Sequence, residues 1–174
     1  MHDALNCFRL QVSVAVLVYV GLRYPLSFKV PQMSEKFQII QTTWAQHSEA
    51  LKKIRQEVFV EEQEVEPAFE WDDIDPVAVH ILVTQQGEPI GCARVINYQK
   101  IGRMAVTKPW RGHGVGRAIL DKAINICQEQ GSTTIKLTAQ THAITFYKQA
   151  GFKETSGVYQ DANIPHVDMQ LDLS

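Results

Sequence analysis

Cysteine is scarce: Cys7, Cys92 and Cys127 are the only three in 174 residues, an odd number at wide spacings. That excludes a disulfide framework and a CxxC-type zinc site, so no metal is expected and a reducing cytoplasm suits the chain. An excess of one charge is also lacking. Lys and Arg number 17 against 19 Asp and Glu, a formal net charge of -2, which leaves no basic field to attract a phosphate backbone and gives no expectation of nucleic-acid binding. Long apolar runs are missing as well. The stretch Leu10 to Val20, LQVSVAVLVYV, falls short of the about 20 residues that a membrane-spanning helix needs. Gly21-Leu22-Arg23-Tyr24-Pro25 offers no clear cleavage site for a signal peptide, so no membrane association is expected unless residues 10–22 serve as an anchor. There is no GK[ST] and no GxGxxG, which argues against a P-loop and a dinucleotide-binding turn.

What is present is a globular composition, 45% hydrophobic and 21% charged, at a length that suits one well-buried domain. Met33 is followed by Ser34-Glu35-Lys36 and then by a self-sufficient pattern. Residues 1–32 are therefore read as an N-terminal extension outside the fold, and residues 33–174 as the domain. Phe37-Gln38-Ile39-Ile40 opens a strand, and Trp44 to Phe59 carries Leu51, Ile54, Val58 and Phe59 at helical spacing. Glu61 to Asp75 is acidic and broken by Pro67 and Pro76, which reads as a loop holding at most one helical turn. Ala78 to Val83 and Ile90 to Ile96 are strand-like runs joined by Gln86-Gly87-Glu88-Pro89, and Ile101 to Val106 extends them into an antiparallel meander. A helix follows with Ile119, Leu120, Ala123, Ile124 and Cys127 on one face and Gly131 as its C-terminal stop. Thr133 to Leu137, Ala143 to Ala150 and Val167 to Leu171 then read as strand, short helix and strand.

The segment from Met104 to Gly116 carries most chemical information, because it runs from strand through a bend into glycines at a helix start. Unpaired N–H groups of a first helical turn, the positive end of the helix dipole and the absence of side chains at Gly112, Gly114 and Gly116 together form an anion cradle. Arg111 can add a charge-assisted hydrogen bond to the same anion. The pattern Arg111-x-x-Gly114-x-Gly116 resembles the acetyl-CoA motif of the GNAT superfamily of N-acetyltransferases. Phe146 to Phe152, FYKQAGF, resembles the superfamily's second signature. Val58 to Gln63, Ile101-Gly102-Arg103, Ala139-Gln140 and Ile164-Pro165-His166 are similar to the ElaA-like branch. The likeness runs from Phe37 to the C-terminus.

The resemblance implies an α/β (α+β) fold: a central mixed, mostly antiparallel twisted sheet flanked by helices and splayed at the acetyl-CoA site. It implies acetyl-CoA as cosubstrate and acetyl transfer to a primary amine of a small molecule or a protein. Backbone groups of Met104, Ala105 and Val106 would pair with the pantetheine arm, and Gly112, His113, Gly114, Val115 and Gly116 would take the pyrophosphate beside Arg111. Phe146 and His142 would line the cofactor, and Tyr147 would protonate the departing thiolate. Arg55, Glu62, Gln63, Arg103 and His166 would line the acceptor pocket, although Arg55, Glu62, Gln63 and Arg103 suit buried ion pairing equally. For the base the residues leave Glu62, Glu70, Asp72, Asp73, His80, His142 and His166 open, with His80 better suited to a hydrogen-bonded core position. The acidic run favours a cationic acceptor. The competing reading is a non-catalytic CoA-binding sensor or scaffold, and a homodimer is an open expectation.

Overall fold

The structure, a computed structural model, describes residues 37–173; the extension at 1–32 lies outside the described residues. Its strands are β1 (Gln38–Thr43), β2 (Val79–Gln85), β3 (Glu88–Ile96), β4 (Lys100–Val106), β5 (Thr134–Gln140), β6 (Lys153–Glu154), β7 (Tyr159–Asp161) and β8 (Ile164–Asp172). Its helices are α1 (Trp44–Arg55), α2 (Pro67–Glu70), α3 (Val115–Glu129) and α4 (Ile144–Lys148). The strands form one sheet in the order β1-β2-β3-β4-β5-β8-β6, with β7 pairing to β8. This is the mixed, mostly antiparallel sheet expected, and no described helix is long and apolar enough to cross a membrane.

Two layers of apolar side chains hold the helices to opposite faces. On one face Ile119, Leu120, Ala123, Ile126 and Cys127 of α3 pack on Ile101, Ile135, Leu137, Ala139, Val167 and Met169. On the other, Leu51 and Ile54 of α1 with Val58 pack on Leu82, Cys92 and Ala105. Thr43 caps α1, its N–H bonding to Gln46 Oε1 at 3.2 Å, the reciprocal half of a capping box. Helix α1 then widens into a π-helical stretch, Gln56–Glu62. Gly131, at φ 77, ends α3 as expected: Ser132 N–H reaches the Cys127 carbonyl at 3.1 Å and Gly131 N–H that of Gln128 at 2.9 Å, a Schellman arrangement. Gln86 and Gly87, at φ 50 and 85, make the hairpin turn between β2 and β3.

The one parallel contact among the described strands is short. Strands β4 and β5 pair only through Lys100 with Lys136 and Ile101 with Leu137, so the later residues of both strands diverge. Strand β4 also bulges. Cys92 pairs with Ala105 and Arg94 with Gly102, which leaves Ala93 opposite both Arg103 and Met104. Arg103 takes φ 48, a left-handed conformation at the inserted position.

Candidate active site

The diverging edges of β4 and β5 leave strand backbone without a neighbouring strand, and the glycine turn stands at the end of the same opening. Gly114 is the N-cap of α3 at φ 84, and Gly112 sits at φ 78. A Cβ at either would meet nothing within 4 Å, so both glycines border open space rather than packed protein. The first hydrogen bond of α3 runs from Ala118 N–H to the Gly114 carbonyl at 3.0 Å, which leaves the earlier N–H groups of the turn free of helical partners. A pyrophosphate suits such donors and the positive helix end. A Cβ at Gly116 would sit 3.7 Å from Phe146 and 3.8 Å from Met104, which brings the turn, β4 and α4 together.

Arg111 is engaged by neighbouring groups of the chain. Its guanidinium pairs with both oxygens of Glu62 at 2.6 and 2.7 Å, and its Nε donates to the Val106 carbonyl at 2.9 Å. The hydrogen bond from Arg111 holds the Glu62 carboxyl below its ordinary range. The next residue, Gln63, accepts from Gln140 Nε2 at 2.8 Å. Glu62 and Gln63 together thus tie the end of the π-helical stretch to the glycine turn and to the last residue of β5. His113 donates from Nδ1 to the Arg111 carbonyl at 2.9 Å and is exposed, and His142 is exposed as well.

Tyr147 packs edge-on against Phe146, with centroids 5.0 Å apart, and against Phe152 at 6.0 Å. Its hydroxyl points to Met104 Sδ at 3.7 Å, so packing and proximity to β4 hold together. Burial pushes the phenol up to about 12, and at neutral pH it keeps its proton. Two thiols lie within the described chain, and burial pushes both up, Cys92 to about 12 and Cys127 to about 11. Neither is a nucleophile at neutral pH.

Of the residues assigned to the acceptor side, Arg55 and Arg103 lie in a buried ionic cluster. Arg55 is 1% exposed and pairs with Glu70 and with Asp75 at 2.7 Å, its guanidinium stacked 4.8 Å from the Trp71 ring. Arg94 takes Asp72 at 2.6 Å and Asp75 at 2.8 Å, and Arg103 takes Glu70 at 3.0 Å. The hydrogen bond from Arg94 draws the Asp72 carboxyl down, whereas burial raises Glu70 despite its arginines. The acidic stretch, read from the sequence as a loop with one helical turn, is partly buried. It forms α2 and a 3-10 turn at Asp75–Val77, and three of its carboxylates are neutralised by three arginines. His80 is a core histidine: 1% exposed, it donates from Nε2 to the Asp75 carbonyl at 2.9 Å, and burial lowers its affinity for a proton.

Comparison with known proteins gives a consistent picture. The family model described as an acetyltransferase (GNAT) domain matches residues 44–173. YyaT of Bacillus subtilis is 39% identical over 139 residues, 76% of this chain and 93% of that protein. ElaA of Escherichia coli is 31% identical over 132 residues, 71% of this chain and 86% of its own length. The ElaA crystal structure superposes with a TM-score of 0.71 over 78% of this chain and 99% of that one, at 27% identity. An acyl-CoA N-acyltransferase from Pseudomonas aeruginosa gives the same TM-score over 78% and 99%, at 28% identity.

Proposed function

Because the chain belongs to the GNAT acetyltransferase domain family, and is thereby an acyl-CoA-dependent acyltransferase, we propose that it moves acetyl from acetyl-CoA to a primary amine by direct attack in a ternary complex. The observation that carries this reading is the coincidence of three features. Strand pairing between β4 and β5 stops after Ile101 and Leu137; the unobstructed glycines Gly112 and Gly114 lie beside it; and the Tyr147 hydroxyl is aimed at Met104 of the same strand.

The bound thioester supplies an activated acyl group and a thiol leaving group. Free N–H groups from Gly112 to Gly116 would hold the pyrophosphate, and the unpaired edge of Met104, Ala105 and Val106 would align the pantetheine arm. Phe146 lies against Gly116 and Met104, where an apolar arm would contact it, and exposed His142 at the entry to α4 would border the cofactor. The Tyr147 phenol, protonated at neutral pH, can donate a hydrogen bond to the departing sulfur. Glu62 and Gln63 border the acceptor side, whereas Arg55 and Arg103 would act from beneath it through their carboxylates. Direct attack accords with the two buried, protonated thiols. A cytoplasmic location and a homodimer belong to the same reading.

The test is a panel of spermidine, glucosamine 6-phosphate and a lysine-containing peptide, with CoA release and product mass followed in parallel. Intersecting initial-rate lines with one of these amines support direct attack. Tight CoA binding with no acetylated product overturns the reading in favour of a non-catalytic CoA sensor or scaffold.

A further inference from the structure

His166 lies on β8, the strand that flanks β5 on the side away from the opening. It pairs in register with Gln140, the last residue of β5. Its neighbours in sequence and register, Val167 and Ala139, pack with α3, so His166 and Gln140 share the other sheet face. Gln140 meets Gln63 on that face. The residue is 9% exposed, with the Tyr159 ring tilted 6.5 Å away.

The hydrogen-bond pattern fixes which nitrogen is basic. His166 Nδ1 lies 2.8 Å from the Ile164 carbonyl. A carbonyl only accepts, so Nδ1 carries the hydrogen and the neutral ring keeps its lone pair on Nε2. Nε2 has no partner among the described residues, and it is not one of the sealed polar atoms, of which Arg94 Nε alone lacks a bond. The lone pair therefore faces solvent-accessible space, from an otherwise buried ring.

The alternatives are engaged elsewhere. Glu62 is held by Arg111, Glu70 and Asp72 by arginines, and His80 by the Asp75 carbonyl. Asp73 and His142 are exposed, with no contact that fixes them toward the opening.

We propose that His166 Nε2 is the general base of the reaction, taking a proton from the acceptor nitrogen directly or through one water. This rests on the amine-acetylation reading above. The nitrogen lone pair forms a C–N bond to the thioester carbonyl carbon, the C–S electrons leave on sulfur, and the proton lost by nitrogen passes to Nε2. The sulfur takes its proton from the Tyr147 side or from solvent. Tyr147 packs with the α3-side core, so the proton acceptor and the proton donor belong to opposite faces of the sheet. The groups facing the ring are Tyr159 from β7, Gln140 from β5, and Asp168 two residues along β8. Asp168 Oδ1 accepts from Thr138 at 3.0 Å and Tyr159 at 2.8 Å, and its charge would favour the imidazolium once formed.

The test uses the full chain with acetyl-CoA and the three amines named above. His166→Asn keeps an N–H for the Ile164 carbonyl but has no base, and His166→Ala leaves room for added imidazole. For an amine that wild type acetylates, His166→Asn should lower kcat/KM by roughly 10²- to 10⁴-fold without changing acetyl-CoA affinity. The limb of the pH profile that reports the base should vanish, and imidazole should partly restore His166→Ala. Wild-type turnover and an unchanged pH limb in His166→Asn overturn the proposal while leaving amine acetylation intact. Should both variants fail to fold, nitrogen-resolved titration of His166 in wild type decides, since a neutral ring protonated on Nε2 overturns it. Wild type inactive toward all three amines overturns this proposal and the amine reading together.

Discussion

Gly114→Val tests the anion cradle, and α3 supplies its own control. Gly114 and Gly131 sit at opposite ends of that helix, at φ 84 and 77, and a Cβ at either meets nothing within 4 Å. Valine at each position therefore incurs the same left-handed strain, about 1–2 kcal/mol for an L residue and more for a β-branched one. For a domain of this size each kcal/mol lowers Tm by about 2–4 °C, so both variants should melt several degrees early and by similar amounts. Only the valine at 114 intrudes where a phosphate must approach the free N–H groups. A hydrogen bond to a charged group is worth about 1.5–3 kcal/mol, so losing one weakens CoA binding by roughly 10- to 150-fold. Calorimetry with CoA on folded protein reads the difference. Equal CoA affinity in the two variants would refute the assignment of the turn as the pyrophosphate site.

Three further outcomes are expected. Tyr147→Phe keeps the ring contacts and gives up only a weak O–H to sulfur contact, so Tm should hold while kcat at saturating acetyl-CoA falls; with the phenol pushed up to about 12, the loss should lie near the lower bound, about 10²-fold, and an unchanged kcat makes Tyr147 a packing residue. Burial lowers the proton affinity of His80 in the folded state, so its contribution is complete above the unfolded value of about 6.5 and is lost as pH falls below it; thermal melts between pH 7 and 5 should show a smaller decline in His80→Gln than in wild type. Residues 33–174 alone should fold and keep full acetyltransferase activity, and an inactive or insoluble 33–174 fragment beside an active full chain would assign residues 1–32 to the fold.

The sequence carried the local features because local chemistry determines them. Gly131 needed only its own φ freedom to end a helix, and Gln86-Gly87 only the turn preference of a two-residue hairpin. Gly112 and Gly114 marked the turn before α3 through the same freedom. Other features depend on partners far along the chain. At the bulge the left-handed residue is Arg103 and not the neighbouring Gly102, and the turn at Ala162 and Asn163, with φ 48 and 61, hid the β7–β8 hairpin behind an alanine. The π-helical stretch after Arg55 has ordinary helical composition. The role of His166 in particular required the structure: its sequence neighbours Pro165 and Val167 give no hint that Nδ1 is tied to a carbonyl and Nε2 is free.

The acidic stretch shows why counting charges misleads at this site. Glu70, Asp72 and Asp75 were legible as acids, but their arginines come from three different elements: Arg55 at the end of α1, Arg94 on β3 and Arg103 on β4. Burying such a set has a desolvation cost that pairing only roughly offsets, so stability alone is a poor reason for it. Position is a better one. Arg103 is the left-handed residue of the β4 bulge, and besides Glu70 its guanidinium holds the Phe69 carbonyl at 2.9 Å. Arg55 binds the Glu70 carbonyl at 2.7 Å from the other side. The segment 69–75 is thereby fastened to α1, β3 and the bulge at once. The bulge immediately precedes Met104, Ala105 and Val106, the edge that parts from β5, so the ionic cluster fixes the strand edge on which the opening depends. Its carboxylates act on the site through backbone geometry, while the proposed proton chemistry falls to the uncommitted imidazole on β8.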